Sequence, residues 1–93
     1  MFIHLAIHHP KPEHEADLLD SMHRLDRAAE GAPGLIRMGA WRDARSGRLV
    51  GLAMWESREA WEAAAPGIFA TVDGDQIAQW CERPPDSLHL TPA

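Results

Sequence analysis

The sequence predicts an α+β fold with the element order β-α-β-β-α-β, the split βαβ arrangement of ferredoxin-like domains, in which an antiparallel sheet carries both helices on one face. Three patterns carry this expectation. Short runs of strand-forming residues stand at both ends of the chain, an apolar stripe of helical spacing follows the first, and two central strand-like runs meet across a polar turn.

In residues 2–9, Phe2, His4, Ala6 and His8 alternate with Ile3, Leu5, Ile7 and His9 before Pro10, so the two sets point to opposite faces of a first strand. After Pro12, which suits a first helical turn because its missing N–H would be unpaired there anyway, Glu13, Glu15 and Asp17 put negative charge at the positive end of a helix dipole. Leu18, Met22, Leu25 and Ala29 then form one apolar stripe, and Gly31 and Pro33 end the helix. Residues 35–41 and 48–56 read as a hairpin whose turn contains Gly47, free to adopt positive φ. Ser57 is placed to cap a second helix over 58–65, and Pro66-Gly67 is expected to break it. Another helical piece is expected from Ile68, with Phe69, Val72, Ile77 and Trp80 as its apolar members and a turn or kink at Asp73-Gly74-Asp75. Pro84-Pro85 closes it and leads to a last strand over 87–91. Residues 1–93 are read as one domain, with no linker or repeat.

A chain of 93 residues, 45% hydrophobic and 25% charged, has the composition of a globular domain too small for two cores. Its net charge of −5 and single lysine, Lys11, argue against nucleic acid and anionic membrane as partners, since both need clustered cations. No apolar run reaches the ~20 residues of a membrane span. The lone Cys81 forms no internal disulfide, and a cytoplasmic location is the expectation. Histidines 8, 9 and 14 do not make a metal set, because adjacent strand residues face opposite ways; no metal is expected.

Both faces of the expected sheet are apolar: Ile3, Leu5 and Ile7 oppose Phe2 and Ala6, and Val50, Leu52 and Met54 oppose Leu49, Ala53 and Trp55. Helices can cover only one. The other would be an exposed patch larger than soluble monomers ordinarily carry, and a second copy of the sheet is the simplest cover, so a homodimer is expected.

The segment Trp55-Glu56-Ser57-Arg58-Glu59-Ala60-Trp61, following Leu49 to Met54, resembles the antibiotic biosynthesis monooxygenase family of dimeric α/β barrels. The resemblance extends to the opening strand, the Lys11-Pro12 approach to the first helix, Ala32-Pro33-Gly34 and Pro66. It implies two such sheets packed face to face with helices outside. Members that oxidise polycyclic phenols without metal or flavin place an Asn four residues before the strand Trp and a Tyr six after it. This chain keeps the Trp as Trp55 but has Gly51 and Trp61 at those positions. Haem-degrading relatives use an Asn on the first strand, a Trp in the second helical region and a His ten residues later; Leu5, Ala64 and Gly74 stand there.

The resemblance therefore implies a cofactor-free monooxygenase for an aromatic or polyketide-like small molecule held between sheet and helices. The alternative is a non-catalytic dimeric binding protein of the same fold. Trp55, Trp61 and Phe69 are expected to line the cleft, and Leu5 is carried with them from its first-strand position. Arg37, a charge within an apolar strand, needs a partner: an acidic residue of a second subunit, or a carboxylate or phenolate ligand. His4 and His89 lie on strands that this topology makes neighbours and are the candidate acid–base pair.

Overall fold

A computed structural model describes all 93 residues. Strands β1 (Phe2–Ile7), β2 (Leu35–Arg42), β3 (Leu49–Trp55) and β4 (Asp86–Leu90) form one antiparallel sheet in the order β2-β3-β1-β4, as the split βαβ arrangement requires. A 3₁₀ turn at Pro12–His14 leads into α1 (Glu15–Ala29), and α2 (Arg58–Ala70) and the single-turn α3 (Ile77–Trp80) complete the chain.

Register follows from the alternation in the sequence. Phe2 pairs with Trp55, His4 with Ala53 and with His89, and Ala6 with Gly51 and Ser87, so these side chains share the face under the helices. Leu18, Met22 and Ala29 of α1 are buried against that face, as their stripe predicts. The layer between sheet and helices holds two apolar clusters, one around Phe2, Trp55, Ala53, Ala29 and Ile68, the other around Leu18, Met22, Leu49 and Cys81. The hairpin turn is fixed by Asp43, whose carboxylate accepts from the N–H of Arg45 and Ser46 and from the Ser46 hydroxyl, while Gly47 takes φ +77°.

The second helix differs from expectation. Ser57 does cap it, its Oγ accepting from the Ala60 N–H at 3.1 Å, but the helix runs through Pro66 and Gly67 without a break. Pro66 and Gly67 are exposed while Ala65 and Ile68 on the inner side are buried. The hydrogen bond lost to proline therefore falls on the solvent side, where water can serve the freed carbonyl, and burial on the inner side holds the helix together. The expected turn at 73–75 is present and separates α2 from α3.

Candidate functional site

The two apolar clusters do not close on each other, and a cavity of about 310 Å³ opens between sheet and helices. Its floor is the inner sheet face, where small residues at Ala6, Gly51 and Ala53 leave room beneath α1. Leu18, Met22 and Leu25 form the α1 wall, and Phe69, Val72 and Ile77 close the far side. No lysine or arginine reaches it. The titratable groups on its walls are His4, His8 and Asp26.

Each of these groups is pushed toward its neutral form. Burial lowers the His4 pKa below the ordinary imidazole value of 6.5, and the neighbouring His89 lowers it further. Burial likewise lowers His8, with contributions from His9 and His4. The Asp26 carboxyl is raised by burial against the opposing pull of His23 and Arg27. An apolar chamber favours uncharged forms of acids and bases alike.

Four of the predicted site residues meet at one end of the cavity. His4 lies across the ladder from His89 with ring centroids 5.2 Å apart, and Trp61 packs against both, 5.6 Å from His4 and 4.9 Å from His89. The Phe69 ring stands edge-on to His4 at 6.3 Å. His89 itself is exposed and does not line the cavity, so of the proposed pair only His4 reaches the interior. Of the three aromatics expected on the cleft only Phe69 lines the large cavity; Trp55, 1% exposed, and Trp61 border a small adjoining void of about 20 Å³ with His4 and Phe69, and the Trp55 indole N–H is buried without an acceptor.

Leu5 and Arg37 do not line the cavity. Leu5 pairs with Leu52 and Leu88 on the outer sheet face, because a strand alternates every residue; its inward neighbours are His4 and Ala6. Arg37 pairs with Met54 on the same outer face, and its guanidinium lies 5.2 Å from the centroid of the Trp41 ring. Within this chain the group it meets is that aromatic face.

From the sequence His8 was weighed only as a metal ligand and Asp26 not at all, although the signals were there. His8 follows His4 and Ala6 at period two, and Asp26 stands four residues after Met22, inside the buried stripe of α1. His9, one residue on, faces the other way and meets Asp86 at 2.8 Å. No three His, Cys, Asp or Glu side chains gather where a metal ion could be held. Cys81 is buried, and that burial pushes its thiol pKa up.

A sheet covered by helices on one face, with an apolar chamber in the gap between the layers, defines the class: a small α+β protein with an internal apolar cavity. Within that class, the chain belongs to the antibiotic biosynthesis monooxygenase family, whose model matches residues 1–65. Among solved structures it is similar to Rv0793 from Mycobacterium tuberculosis, with a TM-score of 0.86 at 18% identity over 99% of this chain and 94% of that one. A Nitrosomonas europaea protein provisionally assigned as an antibiotic biosynthesis monooxygenase gives a TM-score of 0.85 at 15% identity over 99% and 98%. The heme-degrader MhuD of Mycobacterium tuberculosis, solved with two hemes in its active site, gives 0.75 at 19% over 100% and 96%. At these identities the likeness is one of fold. No curated protein matches the sequence.

Proposed function

We propose that this chain is a cofactor-free monooxygenase for a planar, electron-rich aromatic or polyketide-like molecule, working as a cytoplasmic homodimer. The observation that carries the reading is the apolar cavity of about 310 Å³ floored by small residues and closed by Phe69 and its neighbours, at the small end of the about 300–1,000 Å³ range of ligand pockets. In an anthrone-type substrate, loss of a proton from the CH₂ group gives a carbanion able to reduce dioxygen itself. A C–O bond forms, and the hydroperoxide loses water to leave a ketone. The balance is CH₂ + O₂ → C=O + H₂O, the carbon losing four electrons and dioxygen gaining them. The protein then has to exclude water, orient the ring and stabilise the reduced oxygen. Phe69, on the cavity wall, serves the second task, and Trp55 with its unpaired N–H, beside Trp61, would serve the last from the adjoining void of about 20 Å³.

Haem suits the cavity poorly, because its propionates would meet no lysine or arginine there and would face the carboxyl of Asp26. A second reading, a binding protein without turnover, is favoured by Gly51 and Trp61, which offer no side-chain amide or phenol to a reacting oxygen.

An oxygen electrode with 1,8-dihydroxy-9-anthrone separates the two. The monooxygenase reading expects one O₂ consumed per quinone formed, and a loss of at least about tenfold in Trp55→Phe with the fold retained by circular dichroism. Binding seen as ligand-dependent thermal stabilisation, with no oxygen uptake over a panel of phenols and anthrones, would establish the binding protein instead.

A further inference from the structure

Resting on the reading of this cavity as the ligand site, we propose that His8 is a substrate-contacting residue which binds the ionised oxygen of a phenol or enol through a neutral Nε2–H. Four observations lead there. The first is position: the backbone N–H of His8 donates to the Leu49 carbonyl at 2.8 Å, extending the β1–β3 pairing by one residue and fixing the side chain on the inner face with His4 and Ala6.

The second is the space beside its ring. A Cβ built on Gly51 would lie 3.9 Å from His8 Nε2 and 3.7 Å from the Met22 methyl. The absence of a side chain at 51 therefore gives the volume next to Nε2 to the cavity, and a ligand atom can occupy it.

The third observation concerns the other nitrogen. His8 Nδ1 is buried and has no hydrogen-bond partner. A proton there would be a buried donor with nothing to receive it, which is the costlier kind of orphan. The neutral ring therefore carries its proton on Nε2, the side that faces Gly51. The imidazolium form is disfavoured as well, since it must place a proton on Nδ1 and carry a charge in an apolar wall.

The fourth is what surrounds it. On the sheet, His4 and the adjacent His9 oppose a positive charge on His8. On α1, Asp26 is the only titratable lining group, and its burial favours the uncharged acid. Ser21, also on α1, gives its hydroxyl to Asp75. The lining residues from α2, α3, the segments that follow each of them and β4 are Phe69, Val72, Ile77, Pro85 and Ser87, none of them charged. No cation competes for an oxyanion. A fixed, neutral N–H in a low-dielectric wall then stabilises developing negative charge with no proton to transfer first, in the manner of a neutral catalytic imidazole. The ligand class this selects is a neutral planar molecule with an acidic hydroxyl or enolisable carbonyl, rather than a permanent carboxylate, which would have to enter an apolar chamber lined by no cation already charged.

The test uses 1,8-dihydroxy-9-anthrone under argon, its anion followed by absorbance while pH is varied in the presence of saturating protein. His8→Leu should raise the apparent pKa of the bound probe by about one unit, a tenfold loss of preference for the anion. His8→Gln, whose amide donates from a similar reach, should recover most of it, and the remote His14→Gln should match the wild type. In parallel, ¹⁵N-histidine NMR of the wild type should find His8 neutral at pH 7 with its proton on Nε2, and that signal should move when the probe is added. An unchanged probe pKa in His8→Leu, a wild type with no bound probe, or a proton on Nδ1 overturns the proposal. Oxygen uptake in air is read separately: anion stabilisation without uptake keeps His8 and removes the monooxygenase reading, whereas uptake indifferent to His8→Leu does the reverse.

Discussion

At the scale of single residues, the cavity histidines and Asp26 make folding sensitive to pH in opposite directions. His4 and His8 have folded pKa values below 6.5, so at mildly acid pH the unfolded chain binds protons that the folded protein refuses. Stability is therefore lost as pH falls through 6.5 toward the lowered folded values, and is intact above 6.5. Asp26 has a folded pKa above 3.8 and takes its proton earlier in the folded state, so it returns stability as pH falls through its raised value. The urea midpoint should fall between pH 7.5 and 5.5, and His8→Leu should show a smaller fall over that window. A midpoint that does not move in the wild type would contradict the burial argued for these rings. His4 was legible from the sequence because strand order alone makes it a neighbour of His89. His8 was visible only as part of a His-His pair, and its value depends on the missing side chain at Gly51, a relation across two strands that no local pattern reports.

At the scale of elements, most boundaries followed from alternation, caps and turn residues, and the exception was α2. A proline rule applied to sequence alone treats Pro66 as a break, whereas the outcome depends on which side of the helix is buried. The segment between α2 and α3 was expected as a turn, but its attachment was not. Arg24 Nη2 reaches Asp75 at 2.6 Å, and the buried Ser21 hydroxyl donates to the same carboxylate. These bonds hold the carboxyl below its ordinary value, the Ser21 bond first and Arg24 next. They also tie a cavity wall to α1, because Val72 and Ile77 flank the tether and line the chamber. Asp75→Ala leaves Ser21 without its acceptor and frees that wall. Limited proteolysis should then cut between residues 71 and 76 several-fold faster than in the wild type, with a lower melting temperature. Equal cutting rates in the two proteins would mean that packing of Val72 and Ile77 alone holds the segment.

At the scale of the molecule, the dimensions are 36 × 30 × 17 Å, and the thin direction is the depth of one sheet and one helix layer. Such a body has nothing on its second face. Ile3, Leu5, Ile7, Val50, Leu52 and Met54 point there, and Leu88 and Trp41 at the edges are 46% and 47% exposed. The accessible surface of 5821 Å² exceeds the roughly 5,300 Å² expected of a compact monomer of this mass. The alternation that fills the cavity side with His4, Ala6 and Ala53 thus also writes an apolar outer face, which is why the sequence already called for a second copy. The homodimer we propose covers this face, and Leu52, paired with Leu5 and Gly39 near the centre of the sheet, is the position to disturb. Leu52→Glu puts a charge on the outer face without touching the helix layer. Sedimentation at micromolar concentration should find a dimer for the wild type and a monomer for the variant, the variant retaining its far-ultraviolet circular dichroism. A wild type that sediments as a monomer would leave this patch to some other partner. The cavity would be unaffected, since every side chain assigned to it belongs to one chain.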